Sequence, residues 1–164
     1  GVRKGIPNLL KAFSTLNEKA DLHLVGPIEQ GFEDYLRDSN TDGVSIKGPV
    51  AGNVLPAVYA DADIFCLPSL EEGFPLVNLQ ALASGCPVIT TEAAGAADII
   101  QDGVNGLTVA TNSVEELTEA LKKMIDDAPL REQMSLAATT SVQNGFTWDQ
   151  YVSRAMSSYE KLLN

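Results

Sequence analysis

Asp63-Ile64-Phe65-Cys66-Leu67-Pro68-Ser69-Leu70-Glu71-Glu72-Gly73-Phe74-Pro75-Leu76-Val77 is the stretch on which the fold turns. Its first five residues form a mostly apolar run, which suits a strand covered on both faces, and Pro68-Ser69 closes it. Pro75 then opens a helix at a position where a missing N–H does no harm, and Gly85 stops that helix after Ser84. Pro87-Val88-Ile89-Thr90-Thr91 reads as the next buried strand. Strand, helix and strand in succession are the unit of a parallel sheet.

The same alternation extends both ways. Toward the N-terminus, Ile6, Leu9, Leu10, Phe13 and Leu16 fall at helical spacing with Pro7 in the first turn, and Leu22 to Val25 reads as a strand closed by Gly26-Pro27. Phe32 to Arg37 is predicted as a short helix, Val44 to Lys47 as a strand, and Asn53 to Ala60 as a helix whose Pro56 must lie near its start. Toward the C-terminus come a short helix over Ala96 to Ile100, turns at Asp102-Gly103 and Asn105-Gly106, and a strand at Leu107-Thr108-Val109. Ser113 and Glu116 fit a capping box before an apolar stripe of Val114, Leu117, Leu121, Met124 and Ile125. Leu130 to Asn144 continues as helix. Thr147 and Gln150 offer a second capping box, with Phe146 and Tyr151 as its hydrophobic staple and Trp148 packing the last helix. The expectation is one doubly wound α/β domain over residues 1–164, with helices on both faces of a parallel sheet.

Composition narrows the partners. A formal charge of −11 makes nucleic acid a poor one, because binding to a phosphate backbone needs basic surface. No apolar run reaches membrane-spanning length and Gly1 to Phe13 has no signal-peptide block, so the expectation is a soluble, cytoplasmic chain. Cys66 and Cys86 stand in apolar contexts without ligand spacing and read as small, reduced core residues; a disulfide is not needed. His23 alternates with leucines and has no second histidine to share a metal. Neither a G-x-S-x-G elbow nor a G-x-G-x-x-G or Walker pattern occurs.

In open parallel sheets, ligands sit outside the carboxyl ends of the strands. After Leu67 a carboxylate, a glycine and a helix start fall within one turn of each other. Free N–H groups and the dipole of a helix start attract phosphate, and Gly73 lets the backbone approach a ligand closely. Lys4, just before the first helix, is placed to add a cation on the same rim, where it would stabilise a diphosphate leaving group while Glu72 faces the sugar.

Several segments carry a resemblance. They are Lys4-Gly5 before Leu9-Leu10-Lys11-Ala12-Phe13, then Tyr59-Ala60-Asp61-Ala62-Asp63, Pro68-Ser69, Glu72-Gly73-Phe74, Ala83-Ser84-Gly85-Cys86-Pro87-Val88-Ile89, and Asn105-Gly106-Leu107. In this order they resemble the C-terminal domain of GT-B retaining glycosyltransferases of the family-four, group 1 type, over almost the whole chain. The resemblance implies a nucleoside-diphosphate sugar donor (a UDP-, GDP- or ADP-sugar), no cofactor, no metal, and an N-terminal acceptor domain that forms the other wall of the cleft. It implies that Lys4 contacts the diphosphate and Glu72 the sugar hydroxyls. The segment Gly73, Phe74, Pro75, Leu76 and Val77 would hold phosphate oxygens, and the base would lie near Gly48 to Leu55. Any membrane contact would come through the N-terminal half, at the inner face of the membrane.

The sequence departs from the family in three places. Gln80 stands where the family has its second glutamate, toward the ribose, which costs about 1 kcal/mol as a charged hydrogen bond becomes neutral. Asp98 stands where a glutamate is usual. The family's first strand, with an arginine that shares the diphosphate, would precede Gly1, so the domain is expected to lack that strand. Two alternatives remain beside a transferase: a non-catalytic nucleotide-binding module of this fold, and another GT-B enzyme such as a sugar-nucleotide epimerase.

Overall fold

The structure is a computed structural model and describes residues 1–95 and 99–163. Helix α1 (Ile6–Phe13) precedes strand β1 (Leu22–Val25), α2 (Phe32–Asp38), β2 (Val44–Gly48), α3 (Leu55–Ala60), β3 (Phe65–Leu67), α4 (Leu76–Ala83), β4 (Val88–Thr91), a 3-10 turn (Glu92–Ala94) and β5 (Gly106–Val109). Three helices close the chain, α5 (Val114–Asp126), α6 (Ala128–Gln143) and α7 (Trp148–Leu163). All strand pairs are parallel, as the alternation predicts.

The sheet comes in two pieces. One holds β1 and β2, the other β3, β4 and β5 in that order. Strand β4 is buried at all four positions because helices cover both of its faces. Ile89 faces a cluster built from Leu9, Ala12 and Leu16 on one side and Leu117, Leu121 and Met124 of α5 on the other. Val88 faces the opposite cluster, with Tyr59 of α3, Ala81 and Leu82 of α4, and Ala138 of α6. Helices α1 and α5 thus cover one face and α3, α4 and α6 the other. Leu16 keeps its predicted burial although α1 ends at Phe13.

Local rules hold at most boundaries and yield at three. The Ser113 hydroxyl accepts from Glu116 N, but the Glu116 carboxylate reaches past Ser113 to the Ala110 amide, so only half of that box forms. The Thr147–Gln150 box closes in both directions. Its staple does not form: Phe146 turns toward the cluster beneath α4, while Tyr151 meets Trp148 edge to face. Trp148 is 73% exposed and α7 buries none of its described residues, which corrects the expectation that this tryptophan packs the last helix. Asn105 is fully committed inside, donating to Ile99 O and Ser141 Oγ and accepting from Gln101 N. The short helix expected over Ala96 to Ile100 falls largely outside the described residues. No helix among the described residues is long and apolar enough to cross a membrane.

Both cysteines are free. Burial pushes each thiol up to about 12, and at Cys66 this holds although the residue as a whole is only half-buried, which means that its sulfur lies inward. The fold therefore favours the protonated form. That stabilisation is present below the ordinary thiol value of about 9 and is lost as pH rises from there toward 12. The expected outcome at pH 8 is that neither thiol of the folded chain reacts with a disulfide reagent on a timescale at which both react in guanidinium; full labelling of native protein would contradict the assignment.

Candidate functional site

Lys4 and Glu72 lie 68 positions apart in sequence and meet as an ion pair in which Lys4 Nζ donates to Glu72 Oε2. Three backbone contacts make this encounter obligatory. Gly5 sits at φ 70, and a Cβ there would run into the Pro68 carbonyl oxygen, so glycine is what lets the N-terminal strip close on the loop after β3. Leu70 N donates to Arg3 O at 2.8 Å across the same seam. Glu72 N donates to Ala93 O at 3.1 Å, tying the carboxylate's own residue to the turn after β4.

That turn grips from behind. Gly95, at φ 53, lies so close to the Gly73 carbonyl that any side chain would displace it. The Glu72 side chain is 16% exposed and that of Lys4 34%, so the pair is partly withdrawn from water. Arg3 NH1 stands 3.8 Å from Glu72 Oε1, an exposed side chain that contributes little to stability but leaves a second cation beside the carboxylate.

Below the loop lies a polar floor. Thr91 Oγ1 donates to Ser69 O at 2.5 Å, Thr90 Oγ1 to Leu67 O at 3.2 Å, and Asn78 Nδ2 to Thr90 Oγ1 at 3.4 Å. Ser69 Oγ and Asn78 Oδ1 are buried without a partner among the described residues. The hydroxyls of β4 thus fix both ends of the Pro68–Asn78 segment, which is why threonines occur where a covered strand would otherwise be apolar.

Helix α4 opens next to Gly73. Pro75 carries no N–H and its carbonyl accepts from Asn78 N at 2.9 Å. The amides of Leu76 and Val77, in the first turn, have no intrahelical acceptor. Phe74 and Leu76 are exposed on this rim, and Gln80 lies one turn beyond Leu76 on the same exposed face of α4. The structure therefore brings together Lys4, Glu72, Gly73, Phe74, Pro75, Leu76 and Val77, with Gln80 alongside. Gly48 closes β2, and Leu55 opens α3 and packs on the cluster shared with Ala81 and Leu82. No hydrogen bond or ion pair joins Gly48 or Leu55 to Glu72 among the described residues. Asp98 lies outside them.

Asn78, Ala93 and Gly95 were not legible as part of the site, and of Arg3 only its place beside Lys4 was. Gly95 offered the only signal, as a glycine shortly after a strand end. The site is an open rim, and two shallow concavities among the described residues lie elsewhere, one between β5 and α5 and another between α6 and the Gln101–Val104 turn. The first is lined by Asp102, Glu115, Glu116 and Glu119, which would repel a diphosphate. No group of three or more His, Cys, Asp or Glu among the described residues is placed to hold a metal ion.

Residues 2–141 match the family described as glycosyl transferases group 1. Among curated relatives, an uncharacterized glycosyltransferase, MJ1607 of Methanocaldococcus jannaschii, is 29% identical over 96% of this chain and 42% of its own length. Among solved structures, Anabaena Alr3699/HepE in complex with UDP and glucose superposes with a TM-score of 0.80 at 25% identity, over 96% of this chain and 46% of that one. The C-terminal domain of a glycosyl transferase group 1 family protein, LpcC of Francisella tularensis, superposes with a TM-score of 0.82 at 25% identity, over 90% of this chain and 82% of that one. The chain thus spans less than half of the full-length relatives and most of a C-terminal domain.

The backing glycine gives a test within the loop. Gly95→Ala is expected to lower stability by about 1–3 kcal/mol, from a left-handed backbone bearing a side chain and from displacement of Gly73. Gly73→Ala, whose side chain would point into open space, is expected to stay within about 0.5 kcal/mol. Urea unfolding of the two variants checks this, and equal losses would contradict the packing described.

Proposed function

Because the chain belongs to the glycosyl transferases group 1 family, we propose that it is the donor-binding half of a two-domain, retaining hexosyltransferase acting on a nucleoside-diphosphate sugar. The observation that carries this reading is the Lys4–Glu72 pair poised beside the free amides of α4. A bound diphosphate would draw Lys4 Nζ toward its oxygens, with the Leu76 and Val77 amides on the other side. Glu72, still flanked by Arg3, would then turn to the hydroxyls of the sugar. As the bond from the anomeric carbon to the phosphate oxygen breaks, its electron pair passes to the diphosphate, and the lysine and amides stabilise that charge where it develops. An acceptor hydroxyl oxygen on a glycan or lipid carrier would form the new bond to the anomeric carbon, and its proton would pass to the departing diphosphate. The Gly48–Leu55 segment would take the base and Gln80 the ribose.

The rest of the protein supplies the acceptor wall in this reading. Helix α7 supports it, because Trp148, Tyr151, Val152, Met156, Tyr159 and Leu163 form one exposed apolar stripe. Asp149, Arg154, Glu160 and Lys161 balance each other in charge, which suits a protein surface better than an anionic membrane. We assign this stripe to contact with the acceptor half. A UDP-sugar is the first donor to test, since the Anabaena relative was solved with UDP and glucose.

Calorimetric titration with UDP, GDP and ADP, each with and without its sugar, checks the reading. Saturable binding to one nucleotide is expected, weakened by about tenfold or more in Glu72→Ala for the sugar nucleotide and in Lys4→Ala for both forms, from loss of a charge-assisted hydrogen bond. The isolated chain is expected to transfer no sugar. Binding that survives both substitutions unchanged would remove the mechanism, and a folded chain that binds none of the six ligands would overturn the donor-binding reading.

A further inference from the structure

Asn112, in the loop after β5, is the one non-glycine residue with a left-handed backbone among the described residues, at φ 65. A glycine would take that conformation at lower cost, so the asparagine side chain has a use that glycine lacks. Its Oδ1 accepts from Asn8 Nδ2 at 3.0 Å. Asn8 lies in the first turn of α1, just after Lys4 and Gly5. The neighbouring Thr111 reaches the turn after β4, where its Oγ1 accepts from Ala93 N at 3.3 Å. Ala93 is the residue whose carbonyl accepts from Glu72 N at 3.1 Å. Two adjacent residues thus touch both supports of the ion pair: the turn that holds Glu72 and the helix that follows Lys4.

The loop keeps its shape without either contact. Ala110 N donates to Glu116 Oε2 at 2.8 Å, Ala110 O accepts from Ser113 N at 3.2 Å, and Ser113 Oγ accepts from Glu116 N at 3.2 Å. These bonds run between the end of β5 and the start of α5, so Thr111 and Asn112 stand on a frame fixed from behind. The Ala93 amide is in the opposite position. It lies at the start of the 3-10 turn Glu92–Ala94, where an amide has no acceptor within the turn, and Thr111 supplies one. Gly95, at the end of the same turn, presses on the Gly73 carbonyl. The placement of this turn therefore passes to the loop after β3 at two points, Glu72 N and Gly73 O.

We propose that Thr111 is a positioning residue for Glu72: its hydroxyl fixes the Ala93 peptide, and that peptide fixes the backbone that carries the carboxylate. Where it concerns a sugar, the inference rests on the donor-binding reading above, in which Glu72 faces the sugar while Lys4 and the first turn of α4 hold the diphosphate. Loosening the support of Glu72 then weakens the hold on the sugar and spares the hold on the diphosphate. A misplaced carboxylate loses affinity even when its charge is intact, because contact with a hydroxyl depends on distance and angle.

Two variants test it. Thr111→Val removes the hydroxyl and keeps the branched side chain, and Thr111→Ser keeps the hydroxyl. In the ligand-free chain, Thr111→Val is expected to speed amide exchange at Ala93 and Glu72 about fivefold or more, with Leu121 and Met124 of α5 within about twofold and the thermal midpoint within about 3 degrees of the parent. In titrations it is expected to weaken UDP-glucose about fivefold and UDP less than about twofold, and Thr111→Ser is expected to restore both exchange and affinity. A residue that only stabilised the fold would move the core amides and both ligands together. Unchanged exchange at Glu72, equal losses for the two ligands, or no rescue by serine would overturn the proposal. A parent chain that binds neither ligand would defeat the donor-binding reading alone, and exchange at Glu72 would still decide whether Thr111 positions it.

Discussion

The seam between the strip Arg3–Gly5 and the loop Pro68–Leu70 is the constraint on which the site depends. One backbone hydrogen bond and one glycine without room for a side chain hold together segments that are remote in sequence. Without the seam Lys4 would be a surface cation before a helix. With it, the ammonium and the Glu72 carboxylate share a half-buried rim at the ends of β3 and β4. In the domain as it stands, each charge of the pair keeps the other satisfied.

The floor under the loop explains why the rim has one shape. Strand β4 supplies hydroxyls rather than methyl groups at Thr90 and Thr91, and these bind the carbonyls of Leu67 and Ser69 at the point where β3 ends. The turn after β4 adds the Ala93 carbonyl and the close approach of Gly95. Glu72 is thus placed by two strands and a turn, as the role proposed for it beside a sugar and a diphosphate would require.

Much of this was legible in the sequence. Local patterning located the strands and most helices to within a residue or two, because Gly and Pro punctuate the chain and the apolar periods are clean. Glu72, Gly73 and the start of α4 could be read from one loop, since they are neighbours in sequence. Lys4 could be read from its place just before the first helix, and the physical reason for the glycine after it appears only where Pro68 fills the space. Arg3, Ala93 and Gly95 were out of reach because their roles rest on contacts between loops that no local period encodes. The split of the sheet between β1 and β3 could not be read from any one segment, since pairing partners follow from topology and not from propensity. Trp148 was misjudged for a related reason: an apolar stripe says that a helix has a partner but not that the partner lies in the same domain.

In the proposed function, donor phosphate meets Lys4 and the first turn of α4. The most direct measurement is a titration of the isotopically labelled chain with UDP-glucose, following backbone amides by two-dimensional NMR. The Leu76 and Val77 amides and the residues flanking Lys4 and Glu72 are expected to shift together with one dissociation constant. Shifts confined to the concavity between β5 and α5, at Thr108 and Glu116, or none at saturating ligand, would contradict that function.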